Sequence, residues 1–515
     1  MSAPRTVVLG TRGLTPDDVI AVAREGAVVA VSDDAVTAMQ SARDAVERLA
    51  SAATPSYGVS TGFGALATRH IPEELRAVLQ ERVVRSHAAG MGSPVEDEVV
   101  RAAMLLRLKT MCSGRTGVRP VVAATYAELL NARITPLVPE YGSLGCSGDL
   151  APLAHCALVA IGEGDARGPD GEVAPAAALL DAAGITPLRL EAKEGLALIN
   201  GTDGMLGMLL MAVADLGALA TAADVAAAMS VEALLGTDQA FLAEFHLPLR
   251  PHPGQSRSAA NLVALLAGSG IVASHRDGDD RVQDAYSLRC APQVLGALRD
   301  TIDHAALVAG RELAAAIDNP VVLDDGTVRS NGNFHGAPLA YVCDFLAIAA
   351  ADAASISERR TDRLLDPARS GGLPAFLAAD PGVDSGLMIA HYTQASMVST
   401  MKRLAVPASV DSIPTSAMQE DHVSMGWAAA RKLRESARLL RAVVAVEALA
   451  GARALELRAP LRAAPGTDAA ASAMRAAAGG SGQDRFSAPE LAAAERLVAS
   501  GALVASAAGA AGDLQ

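Results

Sequence analysis

Long stretches of this chain repeat apolar residues at the three- and four-residue spacing of an amphipathic α-helix. The clearest stretch covers residues 423–457, and residues 202–235 and 337–357 follow the same pattern with few helix breakers. Long helices joined by short polar segments are typical of helix bundles. The pattern predicts a mostly α protein whose residues 201–515 form an elongated multi-helix bundle domain.

The first part of the chain has a mixed pattern. Residues 6–9 and 28–31 are short apolar runs that predict strands, and Asp33 and Asp34 precede a helical pattern over residues 35–50. A Gly-rich segment at residues 56–67 predicts a loop, and Pro72 is suited to open a helix that continues to residue 89. Residues 1–200 are therefore expected to form a smaller, mixed α/β domain.

The last part of the chain is rich in small residues. Residues 463–484 are mostly Ala, Gly and Ser, which predicts a loose connection before a short helix over residues 488–500. The tail after Gly501 is expected to fray, because chain ends are poorly ordered unless they are packed.

Composition narrows the classes of function. The 515 residues carry a formal net charge of −14, which argues against nucleic acid or an anionic membrane as the main partner. The apolar run 205–214 ends at Asp215 and is too short to span a bilayer, so it predicts a core helix. No C-x-x-C pair occurs among the five cysteines, and the first residues lack a signal-peptide core. A cytoplasmic location is expected.

The segment with the most unusual chemistry is 142–149, where Cys146 and Ser147 stand among three glycines. Glycine adopts backbone conformations that a Cβ forbids, so this segment is able to fold sharply back on itself. A hydrolase nucleophile elbow needs G-x-S-x-G, and the run from Gly145 to Gly148 is one residue short of it. A self-modifying tripeptide of Cys146, Ser147 and Gly148 is the sharper hypothesis.

Other motifs are ambiguous when each is taken alone. Residues 62–67 match a partial dinucleotide fingerprint, but no apolar strand leads into it, so nucleotide binding is disfavoured. The cluster 419–422 fits a metal site or, more simply, acidic residues at a helix N-terminus. Arg289 fits either a structural ion pair or a carboxylate clamp. Tyr57 and His87, taken alone, are typical of packing residues.

Together these segments resemble the aromatic amino acid ammonia-lyase family across residues 57–458. The resemblance rests on several ordered motifs, at residues 57–64, 86–90, 142–155, 193–202, 283–293, 318–320, 332–335 and 419–425. It implies a fumarase/aspartase-like helical architecture and a homotetramer whose active sites draw residues from several subunits.

The resemblance also implies a prosthetic group that the chain makes from itself. Family members form 4-methylideneimidazol-5-one (MIO) from an X-Ser-Gly tripeptide, which corresponds here to Cys146, Ser147 and Gly148. The Gly148 nitrogen would attack the Cys146 carbonyl carbon, and two waters would leave, one of them with the Ser147 hydroxyl. No external cofactor and no metal are expected.

Other site residues are matched by position. Tyr57 corresponds to the family's base for the β-hydrogen, and Arg289 to its clamp for the substrate carboxylate. The residues expected to line the prosthetic group and the substrate are Asn200, Gln283, Tyr286 and Phe334.

His87 and Glu420 bear on the choice of substrate. Both could hydrogen-bond an imidazole, whereas a phenyl ring would leave each unpaired at a cost of about 1–3 kcal/mol. The resemblance therefore implies L-histidine as substrate and trans-urocanate and ammonia as products, the first step of histidine degradation.

Several alternatives stay open. An aminomutase of the same family, or a lyase acting on another aromatic amino acid, is the nearest of them. A fumarase-like lyase is disfavoured because no G-S-S-x-M-P-x-K segment occurs, and a scaffold without catalysis is disfavoured by the intact Ser147. Departures from relatives remove no catalytic group and concern fine hydrogen bonding; they fall at Ser60, Asp203, Gly336, Val406 and Met418.

Overall fold

The structure is a computed structural model that describes residues 5–50, 61–62, 64–66, 68–279 and 281–515. Within these ranges the chain forms 19 α-helices and nine short strands. The predicted mostly α fold class is confirmed.

The chain divides into two compact units, each made of several chain segments. The first unit comprises Met1–Met211, Ala306–Asp344 and Pro407–Arg431, and the second comprises Ala212–Ala305, Phe345–Val406 and Lys432–Gln515. The first unit thus contains residues from both sides of residue 200. The predicted two-domain division at that residue stays a prediction.

The first unit holds every strand of the described residues. Two of them, Thr6–Leu9 and Val28–Val31, are the predicted strands; they pair in parallel, with the side chains of Val7 and Val29 buried. The remaining pairings are antiparallel and join Met91–Pro94 with Pro139–Tyr141, Thr135–Pro136 with Asp165–Arg167, Asp165–Arg167 with Val173–Pro175, and Val321–Val322 with Val328–Arg329.

Helices build the core of the first unit. The helix Asp97–Cys112 is buried at every position from Val99 onward and contacts the helix Pro120–Asn131. Burial on all sides requires apolar side chains on every face, and the part of the helix from Val99 onward has only four polar residues. The helices confined to this unit are Pro16–Ile20, Asp33–Ala50, Arg76–His87, Asp97–Cys112, Pro120–Asn131, Leu150–Ala160, Ala176–Ala183 and Glu194–Ile199.

Four long helices contribute residues to both units. They include the three strongest helical patterns of the sequence, and their bounds are Asp203–Ala233, Ala291–Leu313, Ala337–Leu365 and Gly426–Glu456. Each exceeds 20 residues, which agrees with the long-helix prediction.

The described residues of the second unit form helices and loops and contain no strand. Its core contains an ion pair between Arg360 and Glu447, both with fully buried side chains, at 2.5 Å. Hydroxyls of Ser230 and Ser357 donate to the same carboxylate, at 2.8 and 2.6 Å, so the buried charge is fully paired. The helices confined to this unit are Pro253–Leu266, Gly270–Ala273, Tyr286–Arg289, Met388–Leu404, Pro465–Ala478, Ala488–Ala499 and Ala502–Ala511.

Two predictions for the C-terminal part were wrong. Residues 463–484 contain a helix, Pro465–Ala478, and the tail forms another, Ala502–Ala511, against which it packs. Alanine is the strongest helix former, and Pro465 occupies the first helical turn, where its missing N–H costs nothing. Burial of Met474 and Leu503 then fixes both helices in place.

Some helices are long and apolar enough to cross a membrane, judged by length and composition. They are Asp203–Ala233 and Ala337–Leu365, and a bent pair, Ala488–Ala499 with Ala502–Ala511, would count as a third. In the first two helices, 67% and 61% of the apolar 18-residue stretch is buried inside the protein. The expected absence of a membrane partner stays a prediction.

Candidate active site

The segment 142–149 folds back on itself at three glycines with positive φ. The φ angles are 156° at Gly142, 67° at Gly145 and 72° at Gly148. A Cβ at residue 148 would overlap the carbonyl oxygen of Gly201, so the close approach of these two backbones requires glycine. An isolated parallel bridge joins Gly148 and Gly201.

Asp149 fixes this segment to the start of the long helix Asp203–Ala233. Its fully buried carboxylate accepts hydrogen bonds from the Met205 N–H at 2.9 Å and from the Ser143 hydroxyl at 3.0 Å. Burial raises the pKa of Asp149 to about 7, and the donated hydrogen bonds oppose that shift.

Cys146 and Ser147 both point to the carboxylate of Glu420. The Cys146 thiol donates to Oε2 at 3.1 Å, and the Ser147 hydroxyl donates to Oε1 at 3.3 Å. Burial and the neighbouring Glu420 carboxylate raise the pKa of the Cys146 thiol to about 12, so it stays protonated. The structure thus brings together residues that lie more than 270 positions apart in the sequence.

A cavity of about 800 Å³ in the first unit opens beside Ser147. His87 and Asn200 line it together with Ser147 and Glu420, so four of the predicted site residues share one space. Burial lowers the pKa of His87, and the Glu420 carboxylate opposes this shift. The ring is therefore neutral near pH 7, where it can donate one hydrogen bond and accept another.

A second cavity of about 400 Å³ in the same unit also reaches Ser147 and Glu420. Phe334 and Cys146 line it, together with the stacked rings of His335 and His422, whose centroids are 5.6 Å apart. Phe334 is thus also brought to the segment that holds Ser147.

Asn200 is held at one end of its amide and left open at the other. Its Nδ2 donates to the Asn319 carbonyl oxygen at 3.1 Å, while Oδ1 is buried with no hydrogen-bond partner among the described residues. A buried unpaired amide oxygen costs about 1–3 kcal/mol, so a donor that reaches it would be favoured.

Three predicted residues lie in the second unit. Gln283, Tyr286 and Arg289 line a cavity of about 910 Å³ there. The Arg289 guanidinium lies over the Tyr286 ring at 4.8 Å, and its Nε is buried without a partner among the described residues. An arginine with an open, partly desolvated donor is suited to bind a carboxylate.

Tyr57 lies outside the described residues. The same holds for Ser60, so neither position enters the geometry of the site.

Sequence reasoning missed two residues beside Glu420 and Ser147. Thr415 donates its hydroxyl to Glu420 Oε2 at 3.1 Å, and Asn319 lines both cavities beside Ser147. The match at residues 318–320 was a signal for Asn319. No local pattern marked Thr415, because its contact depends on a tight turn from residue 415 to residue 420.

The neighbourhood of Asn319 is held by a buried ion pair. Lys193 Nζ lies 2.5 Å from Asp318 Oδ2, and both side chains are fully buried. The other carboxylate oxygen of Asp318 accepts the N–H of Asn319 at 2.8 Å. In the sequence, Lys193 and Asp318 belong to the matched segments 193–202 and 318–320, and no other pattern marks them as a pair.

Among the residues that the structure describes, no group of three or more His, Cys, Asp or Glu side chains could hold a metal ion. The residues 419–422 therefore do not form a metal site in the part of the chain that the structure describes. That the protein works without a metal stays a prediction.

Comparisons with known proteins find matches over nearly the whole chain, by sequence and by fold. The sequence profile of the family described as aromatic amino acid lyase matches residues 14–476. The chain is 67% identical to a histidine ammonia-lyase of Streptomyces avermitilis over 503 residues, 98% of each chain. Its fold is similar to a tyrosine aminomutase of Streptomyces globisporus, with a TM-score of 0.92, 36% identity and full coverage of both chains. It is also similar to a histidine ammonia-lyase of Trypanosoma cruzi, with a TM-score of 0.89, 38% identity, and coverage of 98% and 95%.

Proposed function

Because this chain belongs to the aromatic amino acid lyase family, we propose that it removes ammonia non-oxidatively from L-histidine to give trans-urocanate. The observation that carries the proposal is the convergence of Ser147, His87 and Glu420 on one cavity. The 67% identity to a histidine ammonia-lyase over nearly the whole chain supports the same substrate.

The electrophile of this reaction is proposed to be MIO made from Cys146, Ser147 and Gly148. The Gly148 nitrogen bonds to the Cys146 carbonyl carbon, and that carbonyl oxygen leaves as water with the two amide hydrogens. The Ser147 hydroxyl then leaves as a second water with the hydrogen on its own Cα. The residues present fit this group, since only glycine is accommodated at 148 and Asn200 Oδ1 is left open nearby.

The completed group supplies an electrophilic methylidene carbon that binds the substrate and makes its amine a better leaving group. The chain's own residues do the remaining work. Tyr57 is proposed to take the β-hydrogen as general base. Asn200 and Phe334 are proposed to line the group and the substrate from the two cavities beside Ser147.

His87 and Glu420 are proposed to read the imidazole ring. A neutral His87 and the Glu420 carboxylate offer complementary donor and acceptor groups to its two nitrogens. An apolar ring would leave both groups unpaired, and sites of this kind reject apolar analogues strongly.

Arg289 is proposed to clamp the substrate carboxylate, with Gln283 and Tyr286 beside it. The buried, unpartnered Nε of Arg289 supports this role. We further propose that the protein is a homotetramer in which these three residues complete a site built around Ser147 of another copy.

The second candidate is an aminomutase, which would return the ammonia to the β-carbon. The similarity of the fold to a tyrosine aminomutase supports this candidate, but the sequence identity is only 36%. Cytoplasmic location and the absence of nucleic-acid and membrane partners remain predictions alongside either activity.

The experiment that separates these functions is incubation of purified protein with L-histidine, L-tyrosine or L-phenylalanine. We expect urocanate absorbance to rise with L-histidine and little product from the other two. A β-amino acid without urocanate, or preferential turnover of L-tyrosine, would overturn the proposal.

A further inference from the structure

The two oxygens of the Glu420 carboxylate have different donors. Oε2 accepts the Cys146 thiol and the Thr415 hydroxyl, each at 3.1 Å. Oε1 accepts only the Ser147 hydroxyl among the described hydrogen bonds, at 3.3 Å. Oε2 is thus held by two donors and Oε1 by one.

The donor on Oε1 is the one that maturation would consume. Formation of the prosthetic group removes Ser147 Oγ as water, together with the hydrogen on Ser147 Cα. The side chains of Cys146 and Thr415 take no part in either water loss. Glu420 Oε2 would keep both donors, while Oε1 would be freed at the wall that the two cavities share.

The turn that carries Thr415 is built to hold its geometry. Thr415 N–H donates to the Glu420 carbonyl at 3.0 Å, and the Glu420 N–H donates back to the Thr415 carbonyl at 3.3 Å. Between them Ser416, Ala417 and Met418 all have positive φ, at 50°, 51° and 70°. Left-handed conformations cost energy for residues with a Cβ and persist only where the surroundings fix them.

Cys146 remains a donor across the physiological pH range. Burial and the Glu420 carboxylate raise the pKa of its thiol to about 12, so the proton stays on sulfur. A thiol is a weaker donor than a hydroxyl. Alanine at this position would offer no donor at all, although the backbone chemistry of ring closure would be unchanged.

From this asymmetry we propose that Cys146 and Thr415 are positioning residues that hold Glu420 by Oε2, so that Oε1 is presented to the substrate imidazole once the Ser147 hydroxyl is gone. The inference rests on the proposed function, because it assumes a substrate N–H donor. It gives Cys146 a purpose that the ring chemistry does not require.

The test uses the full-length Ser147→Ala protein, which lacks the hydroxyl but cannot form the prosthetic group. Binding of L-histidine and of L-phenylalanine is measured by isothermal titration calorimetry, so the readout does not depend on turnover. Cys146→Ala and Thr415→Val are then added singly to this background, with Cys146→Ser and Thr415→Ser as matched variants that keep a donor.

We expect the dissociation constant for L-histidine to rise about threefold with Cys146→Ala and about tenfold with Thr415→Val, since the hydroxyl is the stronger donor. The serine variants should restore it, and L-phenylalanine binding should stay within about twofold. Equal losses for both amino acids, no rescue by serine, or no detectable L-histidine binding in the background would overturn the inference.

Failure of the proposed function would give a different result. The wild-type protein would then form no urocanate from L-histidine, whatever the calorimetry of the variants. Wild-type maturation and turnover with an unchanged L-histidine affinity in Cys146→Ala and Thr415→Val would reject only the positioning role.

Discussion

The backbones of Gly148 and Gly201 lie in direct contact, joined by an isolated parallel bridge. The Asp149 N–H donates to the Gly201 carbonyl oxygen at 2.7 Å, which keeps the two segments together. This contact leaves no space for a Cβ at residue 148. It also fixes the nitrogen that is proposed to close the ring.

Gly148→Ala should therefore block maturation. The added methyl would displace residue 148 from Gly201 and also penalise its φ of 72°. We expect no loss of water from the intact mass and activity reduced by at least about 10³-fold, the scale of losing a covalent catalyst. Gly217→Ala is the matched control, since Gly217 lies in a helix with nothing within 4 Å of its Cβ position.

That control should mature normally and gain up to about 1 kcal/mol of stability from the better helix propensity of alanine. A Gly148→Ala protein that still loses two waters would contradict the assignment of its nitrogen.

Asp149→Asn should flatten the pH dependence of stability. An acid whose folded-state pKa is raised destabilises the fold as it ionises, so the penalty grows from about pH 4 to its full size above about pH 7. A shift from the ordinary value to about 7 corresponds to roughly 4 kcal/mol. Asparagine stays neutral and can still accept the Met205 N–H.

Urea unfolding of both proteins at pH 5 and pH 8 checks this prediction. The free energy of unfolding of the asparagine variant minus that of wild type should be larger at pH 8 than at pH 5. A difference that does not change with pH would show that Asp149 ionises as easily in the folded as in the unfolded chain.

Asp318→Asn should destabilise the protein by about 3 kcal/mol, because it leaves the fully buried Lys193 without its counter-charge. Burial already lowers the pKa of Lys193, and Asp318 opposes that shift. The measurement is the urea midpoint, with Lys193→Met combined with Asp318→Asn as the control. The double variant should be more stable than Asp318→Asn alone, because it also removes the unpaired Lys193 charge. A double variant that is no more stable would show that the unpaired charge is not the cause of the destabilisation.

Subunits that carry different inactivating changes should complement one another. Ser147→Ala and Arg289→Ala subunits are each expected to be inactive as pure assemblies. Mixed assemblies would contain some sites with an intact Ser147 from one copy and an intact Arg289 from another. We expect co-expression to restore about a quarter of wild-type activity or less, as random mixing allows. No restoration in isolated mixed assemblies would contradict sites built from several copies.

The fold was predictable where one physical signal dominated. Helical spacing located Gly426–Glu456 to within three residues at its N-terminus, because tertiary packing of an amphipathic helix agrees with its local preference. It failed at Pro465–Ala478, where small residues suggested a loose connection. That helix is stabilised by contacts with Ala502–Ala511, which no local pattern reveals.

The candidate site, too, was predictable only in part. Ser147, His87 and Glu420 were found through motifs, and the structure adds that they share one cavity. Thr415 was not found, since its role arises from a turn of left-handed residues that nothing in their side chains announces. The roles of Tyr57 and Arg289 remain predictions, one outside the described residues and the other in the second unit.

The central claim is that Cys146, Ser147 and Gly148 become an electrophile by losing two waters. Mass spectrometry of the proteolytic peptide that contains residues 146–148 tests it most directly, with Ser147→Ala as the control. We expect the wild-type peptide to be lighter than its sequence by two water molecules, whereas the control peptide, which has no hydroxyl at residue 147, should lose at most the one water of ring closure. A wild-type peptide with the full mass of its sequence, from protein that turns over L-histidine, would contradict the account.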